Sequence, residues 1–467
     1  MPAERRKRLL ATVHRVIRTD PSRVAPTQAL PVIDDTVSAK ILDLAMRVGD
    51  AMFAVGASAH EVTFAITRIT DAYHLHGVQV DVTYNSITAS HHRGDDDARP
   101  ITLLRVVRAA SPDHAKLQRL QALTVEIVEG LELDAARAAF REIRRTPFLY
   151  RPSVVVLSRA LLAVGVALMF DASPIIVLLS FVAALCAALA QAGLARLRVP
   201  SFFSQIAGAF VTTIVALVVA ALGTAGIEPF VDIRPSIIVA SGIVLMLAGL
   251  TVVGAAQDAI DGFALTAGGR ILDLTLQTIG VVLGILIGLE FARVLGFGIT
   301  TPIDAIPFGP LPVQLGGAAI VAIAVALFNG AGLRTIVVSA VLGLIAIVGY
   351  DGMLRLGVHE SAASAVGALL ASFAGTLVAH RFHVPSVAVT TAAIVPLVPG
   401  LSVFRGLLGL MQSDGTADAL LVGIGPLISA AAIGIALAAG ASLGLYLGTP
   451  VRATLTSVTR SRARVRR

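Results

Sequence analysis

An apolar run in the second half of the chain is interrupted by two prolines and a glycine. The run covers residues 394–403, IVPLVPGLSV, and contains Pro396, Pro399 and Gly400. A helix cannot pass these prolines without losing backbone hydrogen bonds, so the run predicts a helix that is broken or ends there. In a bilayer, the freed backbone groups are tolerated only where protein or a wet cavity satisfies them. The run therefore predicts a membrane helix broken at a polar site.

A related run lies in the first half of the chain, at residues 243–252 with the sequence IVLMLAGLTV. Paired interruptions in the two halves of a membrane chain indicate a binding site of a transporter. The two runs together predict such a site.

The composition is that of a membrane protein. Of the 467 residues, 56% are hydrophobic and 14% are charged, whereas soluble domains carry about 25% charged residues. The net charge of +7 does not indicate nucleic-acid binding, because the basic residues flank apolar spans and form no patch with aromatic residues.

Ten apolar segments follow residue 152, and most have the length of about 17–25 residues that crosses a hydrocarbon core. They lie at 153–170, 174–194, 203–223, 235–255, 271–291, 311–328, 335–350, 361–380, 386–400 and 418–447. The segment at 335–350 is short and the one at 386–400 is broken.

An internal repeat relates the two halves, since RPSIIVAS at 234–241 aligns with VPSVAVTT at 384–391. Five segments lie in each half, and an odd number reverses the orientation of the second half. The predicted fold is a polytopic α-helical membrane protein of about ten transmembrane helices arranged as a 5+5 inverted repeat. Repeat 1 covers 151–298 and repeat 2 covers 299–449.

The ends of the chain predict its orientation. Ten spans place both termini on one side of the membrane, and arginines near both ends predict that this side is cytosolic. Residues 1–35 and 450–467 are predicted to be basic tails, the first of them flexible. The predicted location is the inner (plasma) membrane.

Residues 36–150 predict a cytosolic α/β domain. One helix ends or bends at Gly56, and the next begins near Ser58 with Glu61 as the partner in a capping box. Three alternating segments predict a small antiparallel sheet; they lie at 78–84, 86–90 and 101–107. Two further helices are predicted over 114–129 and 134–145.

Charged residues after the first interrupted run are candidates for a transport pathway. Charges near the membrane are costly and usually mark a pathway or a pair. Asp258 or Asp261 could carry a coupling proton or hold a substrate ammonium, and Arg270 could bind a carboxylate through two hydrogen bonds. The alternative is an ordinary cytosolic loop with solvated charges. The same alternative applies to the turn at Asn329.

The second interrupted run offers further candidates. Arg405 follows the break, and broken-helix ends direct free amides and dipoles at anionic ligands. Thr251, Thr391 and Ser402 supply hydroxyl groups at the two runs, although such groups often bond only to their own helix backbone.

Sequence motifs argue against enzymatic and ATP-driven alternatives. His60-Glu61 does not continue as a zinc-protease motif, because Phe64 stands where the second histidine is required. The chain shows no glycine-rich phosphate loop followed by Lys-Ser/Thr, so coupling to an ion gradient follows by elimination. We predict no catalytic residue, no metal site and no cofactor.

At the level of whole motifs, the chain resembles the threonine/serine exporter family. The similarity rests on Gly49, Phe53 and GASAHEV at 56–62, on Asp258, Gly262, Gly268 and Arg270, and on PLVPG at 396–400. It covers roughly residues 36–447. The resemblance implies a ten-helix inner-membrane exporter of L-threonine and L-serine that uses the proton motive force. It also implies a milder first break, because the family often carries Pro-Gly where this chain has Ala248-Gly249.

Export of small hydroxy amino acids, with protons as the coupling ion, is therefore the leading hypothesis. The predicted partners are the amino acid and the lipid bilayer, with no nucleic acid, and a homo-oligomer is left open. Two other classes remain: a membrane-anchored hydrolase, for which no nucleophile–base signature is visible, and a sensor or scaffold whose soluble domain binds a partner.

Overall fold

The computed structural model describes residues 35–92, 100–107, 111–228, 230, 233, 235–246, 249–295, 308–382, 384–399, 402, 405–406, 409–410 and 416–465. The predicted amino-terminal tail lies outside these residues except for residue 35. The chain divides into two compact units, Met1–Ala39 and Lys40–Arg467. The second unit contains both the α/β region and the membrane helices.

The described residues of the amino-terminal region form four helices and one sheet. The elements are α1 (Asp35–Ala54), α2 (Ala59–Ala72), β1 (Val78–Thr83), β2 (Ser86–His91), β3 (Ile101–Val106), α3 (His114–Val128) and α4 (Leu133–Arg145). The strands pair antiparallel in the order β1-β2-β3. The α/β prediction for this region is confirmed.

The start of α2 follows the predicted capping chemistry. Gly56 has a φ of +99°, which ends α1. The Glu61 amide donates to Ser58 Oγ at 3.2 Å, and the Ser58 amide donates to the Glu61 carboxylate at 3.4 Å. These reciprocal bonds satisfy amides that a helix start otherwise leaves unpaired.

Helices dominate the remainder of the chain. They are α5 (Pro152–Met169), α6 (Pro174–Arg196), α7 (Ser201–Thr224), α8 (Pro235–Met246), α9 (Gly249–Ile260), α10 (Ala264–Val294), α11 (Leu311–Phe328), α12 (Leu333–Arg355), α13 (Glu360–Phe382), α14 (Ser386–Ile394) and α15 (Ala417–Val465). Among the described residues, eight helices are long and apolar enough to span a membrane. The chain is thus mostly helical with eight candidate spans. α15 continues into the segment predicted as the carboxyl-terminal tail.

Two of the ten predicted apolar segments, 235–255 and 386–400, form no continuous long helix. They are the segments that contain the interrupted runs. α8 ends at Met246 and α9 begins at Gly249. In the second run, α14 ends at Ile394, a single 3-10 turn covers Val395–Leu397, and Val398 is extended with a ψ of 131°. A helix end at Pro396 was predicted, and it is confirmed.

Small residues allow close packing among the membrane helices. A Cβ added to Gly165 of α5 would lie 2.7 Å from the Gly317 carbonyl oxygen of α11, so these backbones meet directly. The alanines at 183, 184, 187 and 188 of α6 are fully buried. Such close approach supports helix association in lipid, where the hydrophobic effect contributes little between helices.

Candidate functional site

A cavity of about 1240 Å³ borders both interrupted runs. Met246, the last residue of α8, lines it from the first run, while Val395 and Val398 line it from the second. Phe148 and Tyr150, which connect the α/β region to α5, also line it. The cavity therefore extends from the membrane helices to the edge of the amino-terminal region.

Glutamines from three helices surround the end of α8. Gln191 of α6 donates to Gln205 Oε1 of α7 at 2.9 Å, and Gln205 Nε2 lies 3.4 Å from Gln277 Oε1 of α10. Gln205 Nε2 also donates to the Met246 carbonyl at 3.3 Å. A helix end leaves carbonyls without intrahelical partners, and here an amide side chain satisfies one. All three glutamines line the cavity.

Arg159 places a positive charge on the cavity wall. It lies seven residues after Pro152, the first residue of α5, which is about 10 Å along the helix axis. Its guanidinium carbon lies 6.0 Å from the centre of the Phe328 ring. Among the described residues, no carboxylate lies within 4 Å of this guanidinium and no hydrogen bond of its side chain is found.

Asn329, which was predicted as a candidate, also lines the cavity. Its side chain is buried, and its Nδ2 has no hydrogen-bond partner among the described residues. An unpaired buried donor costs about 1–3 kcal/mol. Asn329 and Arg159 therefore both line this cavity, and the side chain of each has a donor without a hydrogen-bond partner among the described residues.

The predicted charges at Asp258 and Arg270 lie elsewhere, at a junction between the membrane helices and the α/β region. Asp258 is completely buried, and its carboxylate lies 3.0 Å from Arg270 Nη1. The amide of Ala59, the first residue of α2, is beside this carboxylate, and the Arg270 guanidinium lies 5.9 Å from the Phe53 ring centre. The two residues pair with each other, and neither is among the cavity-lining residues.

Further contacts extend this first junction along α10. Thr266 Oγ1 donates to the Val82 carbonyl of β1 at 3.0 Å, and Tyr84 donates a hydrogen bond to Asp273. Gly269 leaves room for the Tyr84 ring, which a Cβ at this position would overlap. Asp261, another candidate, is exposed by surface area at this junction, and partial desolvation of its carboxyl raises the pKa while nearby His60 opposes the rise.

A second junction joins the α11–α12 turn to the same α/β region. The His114 and Ala115 amides, at the start of α3, donate to the Asn329 and Gly330 carbonyls at 2.8 and 3.2 Å. Tyr150 donates its hydroxyl to the Ala331 carbonyl at 2.7 Å. Three successive carbonyls after the end of α11 are thus satisfied by the amino-terminal region.

The remaining predicted residues lie at or near the interrupted runs. Thr391 Oγ1 lies 3.3 Å from the Ala388 carbonyl of its own helix. Pro396 is inside the 3-10 turn, Pro399 is buried, and Ser402 and Arg405 are half-buried. Gly400 and the side chain of Thr251 lie outside the described residues. Their roles stay predictions.

Sequence reasoning missed Arg159 and the three glutamines. The signal for Arg159 was present, because a single charge inside an apolar segment of membrane length marks a pathway or a pair. The glutamines carried no comparable signal. They lie on three separate helices, and only the fold shows that all three meet at the end of α8.

Eight helices long and apolar enough to span a membrane, with two interrupted runs beside one cavity, define the described part of this chain as a multi-pass membrane protein. A family model described as "Putative threonine/serine exporter" matches residues 43–292, and one described as "Threonine/Serine exporter, ThrE" matches residues 314–445. The chain belongs to the threonine/serine exporter family.

Two curated relatives cover most of the chain. It is 32% identical over 445 residues to a protein of Mycobacterium tuberculosis (strain ATCC 25618 / H37Rv) named a probable threonine/serine exporter, with 93% of this chain and 82% of the relative covered. It is 29% identical over 445 residues to a threonine/serine exporter of Corynebacterium glutamicum, with 92% and 86% covered. No solved structure gives a significant match.

Proposed function

We propose that this protein exports L-threonine and L-serine across the plasma membrane through the cavity at the two interrupted runs. The observation that carries the proposal is that one cavity contacts Met246 at the first break and Val395 and Val398 at the second. In transporters, broken helices place the ends of half-helices and free backbone groups at the substrate site. The names of the two relatives agree with this substrate class.

The proposed architecture has ten spans in two inverted halves. The eight continuous spans are completed by α8–α9 and by the segment that begins with α14, which are the two interrupted runs. Both termini and the α/β region face the cytosol in this arrangement. The cavity then opens toward the cytosolic Phe148 and Tyr150, so it would receive the substrate from inside the cell.

The proton motive force is the proposed source of energy. Within this proposal, Asn329 and the residues around Pro396 and Pro399 shape the pathway. Asp258 and Arg270 act instead at the junction with the α/β region, because they form an ion pair there. Proton coupling rests on the family resemblance and on the missing phosphate-binding motif.

Counterflow in proteoliposomes tests the substrate. Vesicles loaded with unlabelled L-threonine should accumulate labelled L-threonine and L-serine from outside, whereas vesicles without protein should not. Absence of counterflow with both amino acids, from protein that elutes as one symmetric peak, would overturn the proposal.

An imposed pH gradient tests the coupling separately. Net threonine movement should follow the gradient and stop when a protonophore is added. Movement that ignores the proton gradient but continues in counterflow would leave the substrate assignment intact and remove proton coupling.

Cysteine accessibility tests the orientation. The chain has a single cysteine, Cys186, so a C186A background allows one reporter to be introduced at a time. A cysteine placed in β3 should react with a membrane-impermeant thiol reagent only after the cells are opened. Reaction in intact cells would place the α/β region outside.

A further inference from the structure

We propose that Arg159 binds the α-carboxylate of the transported amino acid. This inference rests on the proposed function, because it requires an amino acid to enter the cavity. It assigns a specific chemical task to one residue on the cavity wall.

The position of Arg159 in a membrane helix is energetically costly. A charged side chain near the middle of a membrane helix costs about 2.5–3.5 kcal/mol on insertion scales, and such residues usually pair or face a pathway. Arg159 faces the cavity and has no ionic partner among the described residues. A substrate carboxylate would supply the missing counter-charge.

The charged side chains that line the cavity are positive. Its described lining residues include no aspartate or glutamate, and its two charged members are Arg159 and Arg196. Arg196 is exposed at the end of α6, whereas Arg159 is deeper along α5. Inside the cavity, a carboxylate would therefore meet the positive side chain of Arg159 and no described acidic side chain.

The geometry of the Arg159 guanidinium suits a carboxylate ligand. The guanidinium presents parallel donors that match the two oxygens of a carboxylate. Phe328 lies near the guanidinium, at 6.0 Å from ring centre to carbon, and this contact restricts its orientation. Phe328 and Arg159 both line the cavity, so the guanidinium is held at its wall.

The experiment compares two ligands that differ only in the group proposed to bind Arg159. L-threoninol keeps the ammonium and the side-chain hydroxyl of L-threonine but replaces the carboxylate by an alcohol. Binding to the purified full-length protein in detergent is measured by calorimetry. The wild type should bind L-threonine about tenfold to a hundredfold more tightly than L-threoninol, the ratio expected for a charge-assisted hydrogen bond.

The decisive variants are R159Q and R159M, with R196Q as the matched control. Both Arg159 variants should lose the preference for L-threonine, while R196Q should retain it because Arg196 is exposed. The Arg159 variants remove a charge from a membrane helix, so membrane insertion should not be impaired. Circular dichroism and elution volume check that each variant is folded. If R159Q does not fold, R159M and R159K provide the same comparison, and R159K should bind L-threonine more weakly because it lacks the parallel donors.

Three results would overturn the inference. One is equal L-threonine affinity in a folded Arg159 variant and the wild type. Another is equal affinity of the wild type for L-threonine and L-threoninol. The third is an Arg159 variant that loses only co-purifying anionic lipid, which would assign the residue to a lipid phosphate. In each case, wild-type counterflow would still support the proposed function, whereas loss of wild-type counterflow would remove the function itself.

Discussion

Replacing Arg270 by methionine should destabilise the protein in a pH-dependent way. The substitution removes the partner of Asp258, whose side chain is completely buried. Removing one member of a buried ion pair typically costs about 3–5 kcal/mol, because the other charge stays buried without compensation. Methionine preserves much of the volume of the arginine stem, so the loss of charge dominates the effect.

The destabilisation caused by R270M has an upper bound that depends on pH, since Asp258 can take up a proton instead of remaining charged. Protonating an aspartate with the usual pKa of about 3.9 costs about 4 kcal/mol at pH 7 and about 1.5 kcal/mol at pH 5. The R270M penalty in free energy of unfolding should therefore be at most about 4 kcal/mol at pH 7. It should fall by more than half at pH 5.

The assay is denaturant unfolding of the purified protein in detergent at both pH values, followed by circular dichroism. R293M is the matched control on the same helix, because Arg293 and its partner Glu290 are both exposed; it should change stability little at either pH. The double variant D258N/R270M should recover part of the loss and lose the pH dependence. An R270M penalty that is equal at pH 5 and pH 7, or equal to that of R293M, would refute the reasoning.

Two further variants test other parts of the fold. Burial raises the pKa of Glu61 to about 7, so the folded state binds a proton more tightly than the unfolded state, in which the pKa is about 4.3. Wild-type stability should therefore fall as the pH rises from about 4.5 to 7. E61Q can keep the capping box, and its thermal unfolding should lack this decline. A Cβ at Gly317 would meet the Gly165 carbonyl, whereas one at Gly316 meets open space. G317A should therefore lower the free energy of unfolding by about 1–3 kcal/mol, while G316A should unfold like the wild type. Equal stability of the two variants would contradict the packing.

The sequence predicted the elements of the fold well because their patterns are local. The capping box at Ser58 and Glu61 lies within four residues, and strand alternation requires only a few residues. The prolines at 396 and 399 remove backbone donors wherever they stand, so the helix end at Ile394 follows from the sequence alone. The pairing of distant elements, in contrast, is not a local property.

The candidate site was predictable only in part for this reason. Asn329 and the second break were identified, and both border the cavity. Asp258 and Arg270 were recognised as costly charges that mark a pathway or a pair. Choosing between a pathway and a pair required the fold, which places the Ala59 amide beside Asp258. Ala59 is about two hundred residues away in sequence. No spacing rule relates these positions.

The two junctions of the α/β region have a mechanical consequence. α2 contacts the membrane helices beside Asp258, α3 contacts them at Asn329, and these two helices pack against each other. The α/β region therefore links the α9–α10 junction to the α11–α12 turn. A displacement of one loop relative to the other must be transmitted through the α2–α3 contact or must break hydrogen bonds at one end.

Deleting the α/β region would therefore also change the exposed surface of the membrane helices. It would uncover the Asp258–Arg270 pair and three carbonyls, at Asn329, Gly330 and Ala331, that the amino-terminal region now satisfies. A truncated protein that fails to transport would then report damage to the membrane helices as readily as the loss of a regulatory part. Substitutions that loosen one junction at a time, such as Y150F, separate these two causes.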